Sequence, residues 1–188
     1  MTGALPDRAR EVLAFWFLDC DPRSWFGGGE DFDRTIAARF SGTVADARAG
    51  RLDDWADSPR GLLALVIVLD QFARNIHRGN GQAYASDAQA LDLTMEALAR
   101  GDEAHLSLSE RQFLLMPLMH AEDIAVQQKG IARFEKLAED GASALAFAKA
   151  HADIVAKFGR FPHRNAELGR VSTEAERAWL AEHGNPFG

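Results

Sequence analysis

A single cysteine, Cys20, excludes a disulfide within the chain and fits a reducing compartment. With no cysteine pair and no His-Glu-x-x-His sequence, the common zinc signatures are missing. The longest apolar run, Leu62 to Leu69, is far too short to span a bilayer. Positive charge is scarce: the net charge is −7, against the basic face that nucleic acid or anionic membrane requires. Residues 1 to 8 carry no signal-peptide pattern. The Gly27-Gly28-Gly29 run lacks the lysine and the strand that make a phosphate loop, and no Gly-x-Ser-x-Gly nucleophile elbow occurs. These absences lead us to expect a cytoplasmic protein with no metal, no cofactor, no nucleic-acid partner and no membrane partner.

What the chain has in quantity is helical spacing, and long alternating strand patterns are missing. The spacing predicts one all-α domain over residues 1–188, with about eight helices joined by short connections. A first helix opens at Pro6-Asp7 and runs through Phe17. A second covers Asp31 to Ala49, with Phe32, Ile36, Phe40, Val44 and Ala47 on one face and Gly50 as its C-cap. Ser58-Pro59 starts a third. Ser86 with Gln89, Ser109 with Gln112 and Thr173 with Glu176 each read as a capping box for a later helix. Pro117 is expected to kink or restart the helix that contains it. Further helices are expected over Ala121–Glu139 and Ser143–Lys157.

The third helix leaves itself no polar face, so it is expected to be buried all round. Asp70, Gln71, Arg74 and Asn75 emerge from its end. An aspartate and an arginine four residues apart there should pair, either as an internal tie between helices or as the floor of a pocket. Arg78 extends the set into the next loop. A second group is His120, Glu122, Asp123 and Gln127, in which His120, Asp123 and Gln127 would share one helical face. An imidazole among carboxylates suits acid–base work more than metal binding, which needs three or four placed ligands. The third group runs from Lys157 through Phe158, Arg160, Phe161, Pro162, His163, Arg164 and Asn165 to Arg170. Guanidinium groups set against an apolar wall can fork onto a carboxylate or phosphate, or answer Asp70, Glu122 and Asp123 across the core. His151, on the apolar stripe of Phe147, Ile154, Val155 and Phe158, reads as a satisfied core residue. Trp25-Phe26 beside the glycine run reads as the flank of a pocket mouth.

Leu13 to Phe17, Trp25-Phe26, Leu69 to Gly79, Ala85 to Asp87, Met116 to Asp123 and Phe158 to Arg170 together resemble a bacterial family known as domain of unknown function 924. That family usually has proline at Ala73 and serine at Ala121, so the chain lacks a hydroxyl beside His120. The resemblance implies an all-helical, tetratricopeptide-like fold of stacked antiparallel helix pairs, and it supplies no reaction.

The three groups are expected to converge on one concave site. Asp70, Arg74, Arg78, Glu122, Asp123, Arg160, Arg164, Asn165 and Arg170 would bind the ligand, with His120 or His163 as acid–base group. The arginines favour an anionic small molecule, turned over or only bound. Two other readings stay open: a helical-repeat module for a peptide or protein partner, and a polar cluster that is purely structural.

Overall fold

Pro6, with φ −54° and ψ 144°, turns the chain into α1 (Asp7–Ala14), whose buried face is Ala9, Val12 and Leu13. The computed structural model describes residues 5–141 and 144–187. The expectations for residues 1–4 and for a helix start at Ser143 lie outside them. Among the described residues every regular element is helical. α1 runs without a break into a widened π-type segment, Phe15–Asp19, which delivers Phe15 and Trp16 to the core. A single turn, α2 (Ser24–Gly27), leads to α3 (Gly29–Arg48), which buries Ile36, Phe40, Val44 and Ala47. Gly50 follows with φ +71°, a left-handed conformation that a side chain would resist.

α4 (Pro59–Val66) starts where the sequence predicts. The Ser58 hydroxyl accepts the Gly61 N–H at 3.2 Å, and Pro59 occupies the first turn. Gly61 is needed for packing, since a Cβ there would sit 2.1 Å from the Trp55 carbonyl oxygen. The helix continues through a second widened segment, Ile67–Phe72, into α5 (Ala73–Ile76). Every residue from Gly61 to Ala73 is buried, as the missing polar face implies. The two widened segments meet: the Phe72 ring lies edge-on to Phe15 at 5.9 Å and to Trp16 at 5.6 Å.

The remaining helices are α6 (Asp87–Arg100), α7 (Leu108–His120), α8 (Ile124–Glu139), α9 (Leu145–Phe158) and α10 (Glu174–His183). α4 packs on α1, α6 and α7. α6, α7, α8 and α9 pack each on the next, and short connections make these neighbours antiparallel. One large apolar cluster runs through the molecule, with a small satellite of Ile154, Val155 and Phe161.

Several sequence expectations need correction. Ser86 does not cap α6; its hydroxyl donates to the Leu69 carbonyl at 2.8 Å, while Gln89 donates to Ala47. The α7 capping box is Ser107 with Glu110, two residues earlier than predicted, because Ser107 sits at the extended position that a cap requires. Pro117 lies inside α7, which neither stops nor restarts there. Its missing N–H costs one backbone bond in a helix that ends three residues later. The next helix starts at Ile124, not Ala121, because Asp123 is its N-cap, accepting from the backbone N–H groups of Ala125 and Val126. His120 and Asp123 therefore belong to different elements and share no helical face. The Thr173–Glu176 box is present as expected.

Candidate functional site

A short buried circuit of charge joins the three sequence groups. Asp70, 1% exposed, takes hydrogen bonds from His120 Nδ1 at 2.7 Å, from Arg74 at 3.2 Å and from the Gln71 amide. Arg74 reaches on to Asp87 at 2.8 Å, and Asp87 meets Arg164 at 3.2 Å. Arg164 also donates to the His120 carbonyl at 3.3 Å. Its guanidinium lies 4.5 Å from the Tyr84 ring centre and 4.4 Å from that of Phe161. Desolvation of so buried a cation is offset by these faces and by Asp87. Glu122 forms a neighbouring pair, bonding Arg170 at 2.8 Å and the Phe161 N–H at 2.9 Å, beside the Phe161 ring that Arg164 covers. Three carboxylates thus face three guanidinium groups, and the cluster is internally neutral.

Beside the circuit lies a cleft of about 530 Å³. One face of α7 supplies Gln112, Met116, Met119 and His120, which fall on one side of a helix at this spacing. Ala144, Phe147 and His151 come from α9 and the residue before it. Phe26 stands at the rim, and Pro186 and Phe187 cover one end. The walls are apolar apart from Gln112 and the two imidazoles. Phe26 and Phe147, both lining the cleft, are 64% and 62% exposed. Phe187 stacks on His151 with ring centres 3.7 Å apart.

Both imidazoles on the cleft are tied through Nδ1. His120 uses Nδ1 on Asp70, and His151 uses Nδ1 on the Phe147 carbonyl at 2.7 Å. The ring centres are 5.8 Å apart. Burial pushes the His120 pKa down, and the Asp70 carboxylate opposes that without reversing it. Burial and the neighbouring His120 take His151 down to about 3. Burial would raise Asp70, but His120 and Arg74 hold it below the usual carboxylate range. Near neutral pH both rings are therefore uncharged, with the proton on Nδ1 and a lone pair on Nε2.

Of the residues predicted for the site, only His120 lines this cleft. Asp70, Arg74 and Arg164 belong to the circuit behind it, with the Glu122–Arg170 pair beside them. The expectation that Asp123 answers an arginine across the core is corrected by its role as the cap of α8. Arg78 pairs with Asp33 at 2.6 Å on the surface, and Arg160 pairs with Glu176 at 2.7 Å. Asn165 donates to Ser172 at 3.1 Å, and its buried Oδ1 has no partner. His163 lies between the rings of Phe161 and Phe187, with centres 5.5 Å and 5.7 Å away. Burial and Arg164 lower its pKa to about 4, and its buried Nδ1 has no partner.

Nothing in the sequence marks Met116, Met119, Phe147 or Phe187 as a cleft wall, since apolar residues at helical spacing read as core. His151 fits the same apolar spacing. It is indeed 7% exposed with Nδ1 satisfied, yet its ring lies on the cleft. Phe26 does stand at a pocket mouth. Among the described residues, no group of three or more histidine, cysteine, aspartate or glutamate side chains could hold a metal ion. No described helix is long and apolar enough to cross a membrane.

The model of a family described as "Bacterial protein of unknown function" matches residues 12–184. A solved structure of a protein of unknown function from Agrobacterium tumefaciens is 39% identical to this chain. The match covers 93% of this chain and 97% of the other, with a TM-score of 0.87. No curated protein matches the chain.

Proposed function

The chain belongs to DUF924, a bacterial family of unknown function, so no reaction comes to it by kinship, and we propose from its own geometry that the cleft binds a small molecule with an apolar body whose polar end meets His120. The observation that carries this reading is the 2.7 Å bond from His120 Nδ1 to buried Asp70, made by a ring that also lines the cleft. An imidazole whose Nδ1 proton is fixed by a carboxylate has its tautomer chosen, and its Nε2 is left as a hydrogen-bond acceptor for a bound molecule. A cleft of this size with few polar groups is of the kind that takes small ligands.

An anion, the expectation from the arginine-rich loop, is the weaker candidate. Arg74, Arg164 and Arg170 each meet a carboxylate within 3.2 Å, so none is left without a counter-charge. The same contacts favour a structural role for the guanidinium groups, as supports that hold Asp70 and the Phe161 loop in place. The exposed rings of Phe26 and Phe147 favour a second reading, in which an apolar side chain of a peptide or protein partner fills the cleft.

Binding of N-phenyl-1-naphthylamine, a neutral dye that brightens in apolar sites, tests the proposal. We expect the folded protein to bind it and Ala144→Trp, which fills the cleft, to weaken binding by at least about tenfold. Phe147→Glu changes an exposed rim residue without touching the core, and it should weaken binding in the same direction. Absence of dye binding, or equal binding by both variants and the parent, would overturn the proposal.

A further inference from the structure

The two imidazoles on the cleft are bound in the same sense, and that restricts what can lie against them. Each donates its Nδ1 proton to an acceptor of the protein, His120 to the Asp70 carboxylate and His151 to the Phe147 carbonyl. A neutral imidazole carries one proton, so each Nε2 can only accept. Both rings line one cleft, with centres 5.8 Å apart, and among the described residues neither Nε2 has a hydrogen-bond partner. A carboxylate placed there would bring acceptor against acceptor, and among the described residues no guanidinium lines the cleft. A hydroxyl donor satisfies them.

The rest of the wall identifies the body that carries the donor. Met116 and Met119 present thioethers, which pack well against ring edges. Phe26 and Phe147 offer exposed ring surface at the rim. Phe187 stacks face to face on His151, 3.7 Å away and 11° from parallel, and adds an aromatic ring to the cleft wall. A cleft of about 530 Å³ accommodates a two-ring molecule.

We infer that the ligand is a hydroxylated aromatic, a phenol or naphthol, whose hydroxyl donates to His120 Nε2 while its ring lies among Met116, Met119, Phe147 and Phe187. The inference rests on the small-molecule reading of the cleft and adds the chemical class. His151 supplies a second acceptor for a second hydroxyl. No group leaves and no bond breaks; the hydroxyl keeps its proton and donates a hydrogen bond to Nε2.

Three probes of one shape separate the alternatives: 2-naphthol, 2-methoxynaphthalene, which lacks the donor, and 2-naphthoate, an anion. Their dissociation constants come from NMR titration of the full chain. The expected result is 2-naphthol binding about tenfold tighter than either of the others, the gain from one well-placed hydrogen bond. In His120→Phe the preference disappears while 2-methoxynaphthalene still binds, which shows that the variant is folded and the cleft intact. Equal binding of naphthol and its ether would overturn the phenol inference and leave the cleft reading standing. Tightest binding by naphthoate would overturn it in favour of an anion. If none of the three binds, both the inference and the cleft reading fall.

Discussion

Asp70→Ala lowers the free energy of unfolding by about 3–5 kcal/mol, the cost of stripping a buried charge pair of one partner. Asp70 is 1% exposed and is shared by His120, Arg74 and Gln71. Its loss leaves the Arg74 guanidinium, 20% exposed, with Asp87 alone, and it leaves the His120 Nδ1 proton unanswered. Asp70→Asn should lose less, because the amide oxygen still accepts from His120 and the shape is kept. Glu135→Ala is the control: Lys149 and Glu135 are 51% and 52% exposed, and a pair so open to water contributes about 0–1 kcal/mol. Urea unfolding of the three variants beside the parent measures all of this. A loss below about 1 kcal/mol in Asp70→Ala would mean that the circuit does not hold the helices together.

The second large effect is a loss of stability on mild acidification. In the folded chain His151 stays neutral down to about pH 3, whereas an unfolded imidazole takes up its proton near pH 6.5. Below pH 6.5 the unfolded state therefore binds more protons, and stability falls with pH until the folded ring titrates as well. At pH 5 this amounts to about 2 kcal/mol from His151 alone. His120 and His163, whose pKa values are also lowered, act in the same direction. Asp70 and Glu122, held below the carboxylate range, keep their contribution through this window and lose it only in stronger acid. Denaturant unfolding at pH 7 and pH 5 checks the slope. His151→Phe should lose about 2 kcal/mol less than the parent between the two conditions. An unchanged slope in that variant would contradict the burial-driven shift.

The fold was legible because its signals are local. Ser58-Pro59 and Thr173 with Glu176 mark helix starts through hydrogen bonds made within one turn, and the apolar run after Gly61 declares a helix with no exposed face. The Asp70–Arg74 pair was legible for the same reason, being one turn apart on that helix. The other partners of the circuit depend on distances along the chain that no local pattern encodes. Asp87 joins Arg74 and Arg164 across 13 and 77 positions, and nothing near Asp87 announces it. Asp123 misleads because a short polar residue three places after the end of α7 reads as continuation, while the extended backbone at Ala121 and Asp123 makes it a cap. The cleft was the least legible part. A methionine or phenylalanine that lines a cavity has the same sequence spacing as one that fills a core, and only the gap between α7 and α9 distinguishes them.

The ring nitrogens of His120 give the most direct test of the account. Long-range proton–nitrogen NMR on histidine-labelled protein at pH 7, with and without 2-naphthol, reports which nitrogen carries the proton and which meets a ligand. The structure predicts a neutral His120 ring with the proton on Nδ1 and an unprotonated Nε2 whose signal moves when 2-naphthol is added. A doubly protonated ring, a proton on Nε2, or an Nε2 signal that stays fixed while naphthol binds would contradict it.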